Sequence, residues 1–157
     1  MRKVVFLDRD GVINHDPGDY TKNISEFTIL PTVVEALLKF KKNGFEFIVI
    51  TNQGGIAKEM YTLNDFYEID QYMHNFFCEN GVPILDTFFC PHVDSVSNCL
   101  CRKPKSGMVE KAIAKYKVDA AKSFFIGDKL RDIECAERAG VKGIKIEVNG
   151  NLSEVEL

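Results

Sequence analysis

The chain alternates short apolar runs with helical stripes. "KVVFLD" (3–8), "FEFIVIT" (45–51), "DTFFC" (86–90), "SFFIGD" (123–128) and "GIKIEV" (143–148) are rich in Val, Ile and Phe and predict five strands. They are near-continuously apolar rather than alternating, as strands covered on both faces should be. Between them the spacing changes to that of helices. Residues 31–44 carry Pro31 near the first turn, Val33, Val34, Leu37 and Leu38 as a stripe, and Gly44 just past the end. Residues 62–81 start at a Thr62 cap and stripe Phe66, Ile69, Met73 and Phe76. Two further helices are expected after Ser106, as the cap, and from Leu130 to Gly140. Such alternation predicts an α/β fold, a Rossmann-like parallel sheet with helices on both faces. With no repeats or biased segments, a single domain over 1–150 is expected, followed by a polar tail, 151–157, of little structural promise.

Two connections break the regularity: "GVINHDPGDYTKNISEFTIL" (11–30) and "CPHVDSVSNCLCRKPKSG" (90–107). Both are long, and long connections tend to be functional. In open α/β sheets, sites form beyond the carboxyl ends of the strands. The first strand ends in Asp8-Arg9-Asp10-Gly11, two carboxylates where a core strand meets a turn, and carboxylates are costly to desolvate without a partner cation. The second ends at Thr51 and Asn52 and the fourth at Gly127 and Asp128, with Asp132 one turn on, while Lys103 precedes the third helix. Taken singly, Asp128 reads as a turn residue, Thr51 as a cap and Lys103 as a solvated charge. Taken together they send a carboxylate pair, a hydroxyl, an ammonium and further carboxylates to one edge.

In order and wording these segments resemble the haloacid dehalogenase superfamily of phosphohydrolases: "FLDRDG", "ITNQ", "RKP" and "GDKLRD" stand where its four motifs do, over about residues 3–147. The resemblance implies Asp8 as nucleophile forming an aspartyl-phosphate and Asp10 as general acid/base. It implies Mg²⁺ bound by Asp8, the backbone carbonyl of Asp10 and Asp128, with Asp132 behind these ligands and Thr51 and Lys103 holding the phosphoryl oxygens. No room for a separate cap domain exists between the motifs, so an open site is expected. Carried over residue by residue, Asn52, Arg102 and Lys129 would contact substrate, with Asp16, Gly18 and Tyr20 as additions. Arg102 and Lys129 suit a second, remote phosphate.

Net charge is −3, which gives no bulk field for nucleic acid or an anionic membrane. No apolar run approaches the roughly 18 residues of a membrane span, and the opening segment has no signal-peptide form. Five cysteines without a secretory signal argue against a disulfide framework and for a cytoplasmic location. Cys78 and Cys135, in helical segments, are expected as small buried hydrophobes. Cys90-x-His92 and Cys99-x-Cys101 each offer two side chains pointing the same way, enough for a tetrahedral Cys₃His zinc site or else a metal-free cluster. "FLDRDGVIN", "TNQGGIA" and the C-x-H…C-x-C loop leading into "CRKP" resemble the heptose 1,7-bisphosphate phosphatase group and the related histidinol-phosphate phosphatases. That resemblance implies a structural Zn²⁺ on Cys90, His92, Cys99 and Cys101. The span between His92 and Cys99 is shorter than is common in the group, Lys58 stands for its usual Arg, and Ser106 for a frequent Pro.

The expected activity is therefore Mg²⁺-dependent hydrolysis of a phosphorylated sugar, heptose 1,7-bisphosphate first. Histidinol phosphate is the runner-up, and Asp16 and Asp19 would suit its amino group. A phosphoacceptor signalling domain, a zinc-stapled nucleic-acid binder and a nucleic-acid 3′-phosphatase are weaker alternatives. A monomer is expected. His15 reads as a surface loop residue and His74 as solvated on a polar helical face.

Overall fold

The computed structural model describes residues 1–157. Five strands, β1 (Lys3–Leu7), β2 (Phe45–Asn52), β3 (Ile84–Cys90), β4 (Phe124–Gly127) and β5 (Lys142–Lys145), form one sheet in the order β3-β2-β1-β4-β5. Every pairing is parallel. Four helices connect them: α1 (Val33–Lys42), α2 (Leu63–Glu79), α3 (Gly107–Tyr116) and α4 (Leu130–Arg138).

Alternate residues of each strand face opposite layers. Val5, Leu7, Phe47 and Val49 pack with Val33, Leu37 and Phe40 of α1 and Ile69, Met73 and Phe77 of α2. Val4, Phe6, Ile48 and Ile50 pack on the other face with Met108, Val109 and Ala112 of α3 and Cys135 and Ala136 of α4. Each large apolar side chain buried this way contributes ~1.5–3 kcal/mol. The doubly covered parallel sheet is the fold that the strand pattern predicts, and no further domain interrupts it.

Local signals account for the helix ends. Thr62 Oγ1 accepts from Asp65 N at 3.1 Å and Asp65 Oδ2 accepts from Thr62 N at 2.7 Å, a reciprocal cap that opens α2. Ser106 holds the N-cap position of α3 as expected but makes no side-chain cap bond; its hydroxyl donates to Glu110 Oε1 at 2.7 Å. On α2 the innermost stripe is Phe66, Ile69, Met73 and Phe77, with Phe76 only flanking it, and on α1 Leu38 turns outward.

Several expectations are corrected. The tail is structured: a 3₁₀ turn at Leu152–Glu154 buries Leu152 and Val155 against the α1 layer, and Leu152 N donates to Thr32 Oγ1 at 3.2 Å. Cys78 is exposed, because the α2 stripe passes through Phe77 and leaves the next position outside. His74 is half-buried, its Nε2 sharing a 2.9 Å hydrogen bond with Thr87 Oγ1 of β3, since α2 lies across that strand. The fifth strand covers 142–145 only and is a partly exposed sheet edge. No helix is long and apolar enough to cross a membrane.

Candidate active site

The carboxyl ends of β1, β2 and β4 meet, and three carboxylates from two of these strand ends converge. Oxygen atoms of Asp8, Asp128 and Asp132 lie within 4.8 Å of one another, all on buried residues. Gly11 makes the approach possible. Its φ of +89° is a left-handed conformation, and a Cβ there would stand 2.6 Å from Asp128 Oδ2. Lys103 enters from the loop before α3 and is itself buried. Its Nζ donates to Asp8 Oδ1 at 2.7 Å and to the Ile50 carbonyl at 2.9 Å, and pairs with Asp132 Oδ1 at 2.8 Å. Burial alone would lower the Lys103 pKa, but the charges of Asp8 and Asp132 outweigh it and raise it. Burial dominates at Asp8, whose carboxyl is pushed up to about 8 although Lys103 pulls the other way.

Asn52 fixes the lysine's backbone: its Oδ1 accepts from Lys103 N at 3.0 Å and its Nδ2 donates to Lys103 O at 3.2 Å. Thr51, 1% exposed, turns its Oγ1 to Gln53 Nε2, 2.8 Å away.

Asp10 does not join the acidic cluster. Its carboxylate is held by Arg9, Asn14 and Gln53: Arg9 Nε and Nη2 donate at 3.2 and 3.1 Å, Asn14 Nδ2 at 2.9 Å and Gln53 Nε2 at 3.0 Å. Burial would raise the Asp10 pKa, yet the Arg9 charge and these hydrogen bonds bring it below the usual carboxylate range. Arg9 is in turn buried, its guanidinium carbon 5.7 Å from the Phe27 ring centroid and 5.8 Å from that of Phe66. Tyr61 OH donates to Gln53 Oε1, so a buried chain of hydrogen bonds aims Asp10.

The acidic cluster fits a hard divalent cation. Both carboxylate oxygens of Asp128 are buried without a hydrogen-bond partner, although Lys129 Nζ lies 3.2 Å from Oδ2. Unpaired buried carboxylate oxygens are rare unless an ion uses them. The cysteine–histidine loop fits a soft cation. Cys90 Sγ lies 3.2 Å from Cys101 Sγ and 3.7 Å from Cys99 Sγ, and His92 Nδ1 lies 3.4 and 3.3 Å from Cys90 and Cys101. Four ligands on a tetrahedron with metal–sulfur bonds of ~2.3 Å need donor–donor edges of roughly 3.7 Å. Burial raises the Cys90 thiol, whereas at Cys99 the backbone N–H groups of Arg102 and Cys101 outweigh desolvation and lower it to about 6.

Above Asp10 opens a polar cavity of about 440 Å³. It is lined by Asp10, by Asn52 and Gln53 at the end of β2, by Asp16, Gly18, Asp19, Tyr20 and Thr21 of the loop after β1, and by Lys129 and Arg131 at the start of α4.

The profile of the polynucleotide kinase 3 phosphatase family matches residues 3–142. The chain belongs to this family. It is a phosphatase of the haloacid dehalogenase superfamily. It is 43% identical over 145 residues to the D-glycero-α-D-manno-heptose-1,7-bisphosphate 7-phosphatase of Photorhabdus laumondii, covering 88% of this chain and 79% of that one. It is 36% identical to the corresponding β-anomer 7-phosphatase of Neisseria meningitidis, over 89% of this chain and 74% of that one. A crystal structure of D,D-heptose 1,7-bisphosphate phosphatase from B. bronchiseptica, complexed with magnesium and phosphate, superposes with a TM-score of 0.87 at 32% identity, covering 95% of this chain and 82% of that one.

Most sequence-predicted residues of this phosphatase fall at one place. Asp8, Lys103, Asp128 and Asp132 form one buried cluster, Thr51 stands at the end of β2 against Gln53, and Asp10, Asn52, Lys129, Asp16, Gly18 and Tyr20 line the cavity. Arg102 is the exception. It folds back on the cysteine loop, Nη1 donating to the His92 carbonyl at 3.0 Å and Nε 3.9 Å from Asp94. His15 is exposed. Lys58 stacks over Tyr20, 5.5 Å from the ring centroid. Sequence reasoning missed Arg9, Asn14, Gln53 and Tyr61, which orient Asp10, and Thr21 and Arg131, which line the cavity. Arg9 and Gln53 sit inside the quoted "DRD" and "TNQ" segments, but Phe27 and Phe66, which enclose Arg9, are remote from it in sequence.

Proposed function

We propose that this phosphatase removes the 7-phosphate of D-glycero-D-manno-heptose 1,7-bisphosphate through an aspartyl-phosphate on Asp8. One observation carries the reading: the buried junction of Asp8 with Lys103, Asp128 and Asp132, next in the chain to Asp10 and Lys129 of a polar cavity. The names of the relatives point to the same substrate.

Asp8 attacks phosphorus, and Lys103 and Thr51 neutralise and orient the phosphoryl oxygens as charge shifts onto them. Mg²⁺ would be held by Asp8, Asp128 and the Asp10 carbonyl, and its chemistry is to screen the anionic nucleophile from the anionic ester. Asp10, clamped by Arg9, Asn14 and Gln53, would serve the leaving oxygen as general acid and then the water as general base. It rests ionised, the form that accepts a proton from water in the second half-reaction. An incoming phosphoryl dianion favours its proton uptake for the first. Zn²⁺ on Cys90, His92, Cys99 and Cys101 would be structural, because four protein ligands close its coordination. It would pin the loop that delivers Lys103.

The test is phosphate release with Mg²⁺ from heptose 1,7-bisphosphate, histidinol phosphate and a 3′-phosphorylated oligonucleotide, with Asp8→Asn as control. Preference for the sugar bisphosphate and a loss of activity by about 10³-fold or more in the variant are expected. Preference for histidinol phosphate would favour a second reading, for which Asp16 and Asp19 on the cavity wall supply the carboxylates. Preference for the oligonucleotide overturns the sugar reading, and activity surviving in Asp8→Asn overturns the mechanism.

A further inference from the structure

We propose that Gln53 is a positioning residue for two groups at once, the Thr51 hydroxyl and the Asp10 carboxylate, and that Tyr61 holds its amide in the sense both require. The inference rests on the roles in phosphoryl transfer given above to Thr51 and Asp10. It adds the side chain that sets them together.

Gln53 is 2% exposed, and both ends of its amide are fully engaged. Its backbone N–H donates to the Cys90 carbonyl at the end of β3, 2.7 Å away. Nε2 gives one hydrogen to Asp10 Oδ2 at 3.0 Å and the other to Thr51 Oγ1 at 2.8 Å. Oε1 accepts from Arg9 Nη2 at 3.3 Å and from the Tyr61 hydroxyl. The surroundings therefore dictate which way the amide faces. Turned over, Oε1 would meet the Asp10 carboxylate and Nε2 the Arg9 guanidinium, acceptor against acceptor and donor against donor.

The sense of the amide matters most at Thr51. A hydroxyl has one hydrogen to give. Because Oγ1 takes its bond from Gln53, the Thr51 hydrogen is left for another acceptor, and the one it finds in the protein is the Asn52 carbonyl, long at 3.4 Å. An anionic phosphoryl oxygen is a stronger acceptor than that contact. An oxygen in the place of Nε2 would claim the hydrogen and leave none for the substrate. At Asp10 the same NH₂ group holds Oδ2 while Asn14 holds Oδ1. One amide thus ties the group that serves the leaving oxygen to the group that binds phosphoryl oxygens. Tyr61 keeps that amide from turning. Its ring is 6% exposed, lies 6.0 Å from the Tyr20 ring centroid and crosses Gly55, where any side chain would collide with it. Burial pushes the Tyr61 pKa up, so the phenol stays a donor. The bond to Gln53 is the only one its hydroxyl makes, so Tyr61 acts through Gln53.

The experiment is single-turnover release of the leaving group by the Mg²⁺-loaded full chain, from heptose 1,7-bisphosphate and from p-nitrophenyl phosphate. A sugar alkoxide needs a proton as it leaves, whereas a nitrophenolate hardly does. Wild type, Gln53→Met, Tyr61→Phe and the double variant are compared, with Asp10→Asn as control and thermal melting to verify folding. Gln53→Met keeps the volume of the side chain, so a packing role predicts rates close to wild type. On the positioning role, Gln53→Met should slow sugar release by about tenfold or more and nitrophenol release by less. It should also weaken inhibition by inorganic phosphate by about threefold or more, as a lost hydrogen bond from Thr51 requires. Tyr61→Phe should show the same split on a smaller scale and add nothing in the Gln53→Met background. Rates retained in Gln53→Met, with Asp10→Asn showing the split, overturn the proposal and leave the mechanism standing. Equal slowing of both esters with phosphate inhibition unchanged overturns it as well, since that reports a general disturbance. A Tyr61→Phe loss that adds in full to that of Gln53→Met overturns the part given to Tyr61. Asp10→Asn without a split overturns the acid role itself, and the proposal with it. Should Gln53→Met fail to fold, Tyr61→Phe measured against Asp10→Asn decides between the same outcomes.

Discussion

Lys103 carries more of this site than any other single side chain. It is buried to 2% exposure, where an ammonium is tolerated only because Asp8 and Asp132 flank it at 2.7 and 2.8 Å. Replacing it with Met keeps the volume but leaves two buried carboxylates facing each other. Lys103→Met should lose ~3–5 kcal/mol of stability, the usual penalty for removing one partner of a buried pair. Urea unfolding at pH 8 without divalent metal checks this, and Mg²⁺ should restore part of the loss by taking over the charge. An unchanged midpoint would mean that the carboxylates are neutral in the folded chain. Arg9 illustrates a different limit at the same scale. "DRD" shows an arginine between two aspartates, but nothing in the tripeptide says that Phe27 and Phe66 will bury it and turn its fork onto Asp10.

Among the elements, the cysteine loop and the β3–α3 contact lend themselves to measurement. Chelation, or Cys99→Ser, should release one zinc per chain by elemental analysis and make residues 91–106 the first site of limited proteolysis, because no helix or strand holds that segment. Equal protection before and after chelation would leave the metal no role in ordering the loop. On β3, Asp86 accepts from Lys115 Nζ and Tyr116 OH, each at 2.7 Å, tying the strand to the end of α3. Burial would raise the Asp86 pKa, but these hydrogen bonds and that of the Thr87 amide bring it below its ordinary value. A carboxylate lowered in the folded state stabilises above its unfolded pKa of about 3.9, and that contribution disappears as pH falls through the folded value. Asp86→Asn should therefore lower stability by about 1 kcal/mol at pH 7 and converge with wild type below about pH 4. A gap that persists to pH 2 would assign the effect to something other than ionisation. Helix α2 shows how far periodicity reaches. Its start at Thr62 and its face were legible, whereas its contact with β3, which half-buries His74, was not.

For the molecule as a whole, the chain's last residues close the layer formed by α1 and α2. Leu152 is fully buried there and Val155 nearly so. Leu152→Ala should cost ~2–4 kcal/mol through the lost transfer energy and the cavity left behind, read as a lower midpoint in urea with an unchanged slope. A polar nonapeptide, "NGNLSEVEL", gave little warning of this, because three scattered apolar residues in nine resemble any solvated terminus until a groove exists to receive them.

By itself the sequence determined the parallel α/β architecture, since the hydrophobic period is a local property of each segment and five apolar runs separated by helices leave few alternatives. It also placed Asp8, Thr51, Lys103 and Asp128 at or near the ends of elements whose type was already legible, which is where the fold holds them. Only the tertiary structure decided what those residues touch. Arg102 was turned onto the cysteine loop, Asp10 onto Arg9 and Gln53, and Arg131 and Thr21 were brought into the cavity by contacts between segments far apart in the chain. Side-chain orientation depends on such long-range packing, and no local pattern encodes it.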